Sequence, residues 1–121
     1  PLVEADRFPV ERLRQEPFIE FLPGQETDNS RMLQQLQIRP KIRFATSDSR
    51  AAIAMVRAGL GITLLNDILT ADLADGVAVL PLDPPQSVHL GIALPEEEHV
   101  SPAAKRFITY ALDRLPELDV L

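Results

Sequence analysis

KIRFATSDSRAAIAMVRAGLGITLLN, Lys41 to Asn66, is the stretch whose reading decides the fold. KIRFAT is a short strand run, SDSRAAIAMVRA a helix run, and GLGITLLN a glycine stop followed by a second apolar strand. A strand, a helix and a further strand in so short a span form the unit that builds parallel sheets with covering helices. The loops leaving such strands make the crevice in which ligands bind. Ala52, Ile53, Val56 and Leu60 fall at i, i+1, i+4 and i+8, one stripe for packing on a sheet. Gly59 stands where a helix C-cap needs it, and Gly61 lets the helix and the next strand approach closely.

Working outward, PFIEF at Pro17 to Phe21 reads as the first strand, ended by Leu22, Pro23 and Gly24. Thr27, Asp28, Asn29 and Ser30 offer caps for a helix whose apolar face is Met32, Leu33 and Leu36, and Pro40 breaks it before the second strand. Pro1 to Glu16 is charged and reads as irregular, with ERLRQ as one helical turn. Downstream, Asn66 or Asp67 caps a short helix over Ile68 to Leu73, which Asp75 and Gly76 close. Val77 to Leu82 is a fourth strand, Asp83 to Gln86 a proline turn, and Val88 to Leu94 a fifth strand. Ser101 caps the last helix with Pro102 at its first position, and Phe107, Ile108, Ala111, Leu112 and Leu115 form its expected buried face.

The 121 residues make one domain at most, and 45% hydrophobic with 25% charged residues is the composition of a soluble globular protein. No apolar run approaches the length that spans a bilayer and no secretory leader opens the chain, so a cytoplasmic protein without a membrane partner is expected. The absence of cysteine excludes disulfides, thiolate metal sites and a thiol nucleophile. A net charge of −6 argues against a nucleic-acid-binding surface on this segment. Pro1 is no initiator, so the polypeptide is expected to be processed or cut from something longer.

Chemistry-bearing constellations are scarce. His89 and His99 have no neighbours at metal-ligand spacing, and Glu96, Glu97 and Glu98 read as a solvated loop. Serines occur without a nucleophile elbow, and Gly59 and Gly61 close a helix where a dinucleotide fingerprint would open one. No catalytic residue, metal or cofactor is expected. What remains is a crevice edged by the strand ends at Leu22, Thr46 and Asn66, each leading to a helix N-terminus that attracts carboxylate, phosphate or sulfate. Thr46, Ser47 and Asn66 add hydrogen-bonding side chains, while Asp48 facing inward would repel an anion. Ser47, Asp48 and Asn66 read equally well as helix caps, and Pro23 and Gly24 as residues that turn the chain.

EPFIEF at Glu16 to Phe21, RPKIRFATSDSRAAIAMVRAGLGITLL from Arg39 to Leu65, VLPL at Val79 to Leu82, HLGIAL at His89 to Leu94 and SPAAKRFI at Ser101 to Ile108 together resemble the effector-binding domain of LysR-type transcriptional regulators. The order and spacing are those of that domain's second half, over nearly the whole chain. The family often has proline after the GI-x-LL strand, where this chain has Asn66. The resemblance implies an α/β, three-layer Rossmann-like lobe of the type II periplasmic-binding-protein fold, with a mostly parallel sheet and helices on both faces. It further implies a core lobe over residues 17–82 and a return strand and C-terminal helix over 83–121, the DNA-binding domain and first lobe having no counterpart here. A small organic, anionic effector would be held between two lobes by Thr46, Ser47, Leu22, Pro23, Gly24 and Asn66. DNA would be bound only through a separate N-terminal helix-turn-helix, and the regulator would act as a homo-oligomer.

Two further expectations follow from a lone second lobe. Val88 to Leu94 would fold back antiparallel beside Val77 to Leu82, into the slot of a crossover strand expected before Pro1. The C-terminal helix would expose Phe107, Ile108 and Leu112 and favour self-association. Another reading of the same elements is a lobe of a solute-binding or transport protein without DNA function. A third, an α/β enzyme of flavodoxin-like build, lacks a catalytic constellation.

Overall fold

The computed structural model describes residues 4–70, 72, 75–96 and 99–117. Two compact units divide it, Pro1–Val88 and His89–Leu121.

In the first unit β2 (Pro17–Phe21) pairs in parallel with β3 (Lys41–Thr46). On its other side Phe18 bridges in parallel to Ile62, through Ile19 N donating to the Ile62 carbonyl at 2.8 Å and Ile62 N to that of Pro17 at 2.9 Å. The expected third strand is thus present as a minimal run, extended by the Thr63 hydroxyl donating to the Ile19 carbonyl. Gly61 is required at its start, because a Cβ there would collide with the Pro17 carbonyl oxygen.

Phe18 and Ile19 are both buried, and successive strand residues face opposite sides of a sheet. Phe18 packs with Phe8, Val10, Leu13 and Ile38, supported by half-buried Leu33 of α1 (Asp28–Gln35) and Leu36, the residue that caps its C-terminus. On the opposite side lies α2 (Ser49–Arg57), which contacts β2 and β3 and buries Ala52 and Ile53. Helices therefore cover both faces, and every observed strand pairing is parallel.

The segment read as irregular supplies part of this core. β1 (Phe8–Pro9) pairs in parallel with β4 (Leu82–Asp83), and Val10–Arg14 forms a 3-10 helix burying Val10 and Leu13. The spacing of Val10 and Leu13 puts both on one side of a three-residue turn, which explains their joint burial.

Local chemistry sets the helix ends. Thr27 Oγ1 accepts from Ser30 N while Ser30 Oγ accepts from Thr27 N, a reciprocal cap at the start of α1. α1 stops with Gln37 at φ 54°, Ile38 N donating to the Leu33 carbonyl. α2 stops the same way with Gly59 at φ 77° and Leu60 N donating to the Met55 carbonyl. Because α2 has already ended, Leu60 leaves the packed stripe and is exposed. Arg57 donates from Nε and Nη2 to the Asp75 carbonyl, at 3.0 and 2.6 Å, and so holds the turn at Asp75 and Gly76.

Other expectations need correction. The short helix α3 runs only Asp67–Thr70, and part of the expected span to Leu73 lies outside the described residues. Val77 to Leu82 reduces to β4, whose partner is β1 and not a folded-back Val88 to Leu94. Val88 to Leu94 forms no strand, so nothing from it fills a crossover slot. Prolines at 81, 84 and 85 lack the N–H that a longer ladder needs.

The second unit contains α4 (Pro102–Arg114), whose first turn is capped by Ser101 Oγ accepting from Ala104 N at 3.2 Å. None of its residues is fully buried. Ile108, Ala111 and Leu115 are half-buried, whereas Phe107 and Leu112 are exposed, as expected of a lone second lobe, Ile108 being the one of that trio that is not. Ala104, Ile108, Ala111 and Leu115 follow each other at helical spacing, and Phe107 and Leu112 lie off that line.

Candidate functional site

β2 and β3 end level with each other. Phe21 is paired with Thr46, and Leu22 N donates to the Thr46 carbonyl at 2.9 Å, so two of the expected rim residues meet through the backbone. Leu22 then turns at φ 56° and Gly24 at φ 73°, with Gln25 N reaching the Leu22 carbonyl at 3.3 Å. A Cβ at Gly24 would meet no atom within 4 Å, so glycine serves the positive φ there and not a tight contact. Leu22 adopts the same region with a full side chain, a conformation of order 1 kcal/mol above its ordinary one. Pro23 is exposed beside it.

On the β3 side the open question of caps resolves. Asp48 is the α2 cap, its Oδ1 accepting from Ala51 N at 3.0 Å, and the Thr46 hydroxyl accepts from Asp48 N at 3.2 Å. Ser47 has no side-chain hydrogen bond among the described residues and is exposed. Its hydroxyl stands available at the rim.

Electrostatics there are mixed. The dipole of α2 favours an anion, but the Asp48 carboxylate already occupies that favourable position. The start of α1 carries Asp28, and Arg31 donates to Glu26 at 2.9 Å, a bond that raises the guanidinium pKa above its ordinary value. At each helix the cap satisfies the third amide, leaving the first two free for a ligand: Asp28 and Asn29 on α1, Ser49 and Arg50 on α2.

Asn66 is reached differently. Its carbonyl accepts from Leu69 N and Thr70 N at 2.9 and 3.2 Å, opening α3, while its side chain makes no cap bond. Just before it, the Leu64 carbonyl accepts from Asn29 Nδ2 at 2.9 Å, joining this strand end to the start of α1. In the sequence Asn29 is one of four possible caps for α1. Its partner lies 35 positions away, and no local pattern signals such a bond.

Among the described residues no His, Cys, Asp or Glu cluster is placed to hold a metal, and no helix is long and apolar enough to cross a membrane. No buried side-chain polar atom there lacks a partner. The groups at the rim are backbone amides and the hydroxyls of Thr46 and Ser47, that of Thr46 already accepting from Asp48 N.

A family model described as the LysR substrate binding domain matches residues 1–116. A search of curated proteins returns no match to the chain.

Proposed function

The chain belongs to the LysR substrate binding domain family, and from that premise we propose that its effector is a small organic anion held at the rim formed by Leu22, Pro23, Gly24, Thr46, Ser47 and Asn66. As a member of that family the chain is an effector-binding regulatory domain of a LysR-type transcriptional regulator, a ligand-binding and not a catalytic module. The observation that carries the proposal is the Leu22 to Thr46 hydrogen bond at 2.9 Å, which brings two strand ends and the loops leaving them to one edge.

In this reading Ser47 Oγ and the free first-turn amides of α1 and α2 supply donors to a carboxylate or phosphate. The Leu22 side chain, held at positive φ, supplies an apolar contact beside them. Asp48 tempers the attraction and disfavours the most highly charged anions. The other lobe of the two-lobed family fold closes over the ligand. Differential affinity for the closed arrangement shifts the population and alters how the subunits of a homo-oligomer sit on DNA, which they contact through a separate helix-turn-helix. The regulator acts in the cytoplasm.

The test replaces Thr46 by Phe in the complete regulator and measures effector-dependent change in operator binding. Loss of the response, with operator binding without effector retained, supports the rim; an unchanged response removes Thr46 from the site.

A further inference from the structure

We infer that Asn29 is a positioning residue, whose amide couples the start of α1 to the strand end carrying Asn66, so that both sides respond together when an anion binds. This rests on the reading of the rim given above.

The backbone ladder beside β2 ends early. Ile62 is held by two backbone bonds and Thr63 by its hydroxyl. From Leu64 to Asn66 no backbone amide or carbonyl joins another backbone group, among the described residues, until the Asn66 carbonyl accepts from α3. The Leu64 carbonyl is instead taken by Asn29 Nδ2 at 2.9 Å in a half-buried setting. Beside the packing of Leu64 on the core, one side-chain amide thus supplies the polar tie of the segment that delivers Asn66.

Asn29 is also the second residue of α1, so its own N–H belongs to the pair left free by the cap at Thr27 and Ser30. A ligand accepting from that N–H pulls on the same residue that holds Leu64. Neither neighbour can replace it. Asp28 has no side-chain donor when ionised, and Ser30 is committed to the cap through both its hydroxyl and its amide.

The experiment follows backbone-amide NMR shifts of the 121-residue chain during sulfate titration, in the wild type, Asn29→Ala and Asn29→Gln. In the wild type the amides of Asn29, Ser47 and Asn66 are expected to shift along one binding curve. In Asn29→Ala the Asn66 shift should be lost and affinity at the remaining amides should fall by about three- to tenfold, the range for one lost hydrogen bond. Unaltered Phe18 and Ile19 shifts report that the fold persists. Asn29→Gln keeps the amide and should restore part of the Asn66 response. Equal affinity and an intact Asn66 shift in Asn29→Ala overturn the coupling while leaving the rim standing. A wild type that ignores sulfate at Ser47 and Asn29 alike removes the rim, and the coupling with it.

Discussion

β2 and β3 share one parallel ladder but live in different environments. Ile19 of β2 is 0% exposed, whereas Ile42 and Phe44 of β3 are 49% and 40% exposed. β2 has β3 on one side, the Ile62 run on the other, and packed elements against both faces. Among the described residues β3 has a strand neighbour on one side only. Its register slips opposite Phe18 and Ile19, where pairing passes from Ile42 to Phe44 and leaves Arg43 unmatched. A bulge with Lys41 and Arg43 beside it discourages a further strand from adding to an open edge. The difference teaches that strand propensity made both elements, and position in the sheet decided which of them carries the stability.

The sharpest way to break that comparison is Ile19→Ala against Ile42→Thr. Ile19→Ala should destabilise by about 2–5 kcal/mol through lost burial and the cavity left behind. Urea unfolding with an unchanged denaturant slope would read this as a lower midpoint. Gly61→Ala should come next, by about 1–3 kcal/mol, since the new methyl must displace the Pro17 backbone and so the Ile62 bridge. Hydrogen exchange at Ile19 and Ile62 would accelerate if that bridge is the element disturbed. Asp48→Ala should remove about 1 kcal/mol by uncapping α2, whereas Asp48→Asn keeps a capping oxygen and should cost no more than a few tenths. The Asn variant also removes a carboxylate from the rim, so sulfate should bind it more tightly than the wild type, as a parallel titration would show. Ile42→Thr should fall within about 0.5 kcal/mol of the wild type, because its side chain is already half in water. A large effect there would mean that β3 is covered in solution.

Most of the fold was legible because β2, β3 and α2 state their periods over five or more residues with clear stops. Pro17 to Phe21, Lys41 to Ala45, the Gly59 cap and the Ser101–Pro102 start of α4 all emerge as read. The early core did not, because Phe8, Val10 and Leu13 sit among charges in a short 3-10 turn with too few residues to show a period. Val77 to Leu82 failed for the opposite reason. Its apolar residues looked like a strand, but of them only Pro81, whose carbonyl accepts from Phe8 N, and Leu82, paired with Phe8, join the ladder, and that partner lies at the other end of the unit. At the candidate site, the meeting of Leu22 and Thr46 followed from strand ends alone. The Asp48 cap was one of several alternatives that only geometry separates. Asn29 was not legible as a tether, because a side-chain bond to a carbonyl 35 residues away leaves no trace in local pattern.

The most direct measurement is a backbone-amide NMR titration of the chain with a set of small carboxylates and sulfate. The account predicts saturable shifts concentrated at Leu22 to Gly24, Thr46, Ser47 and Asn66, with little change in Leu13, Phe18 and Ile19. Shifts confined to other surfaces, or none at the rim for any anion tested, would contradict it.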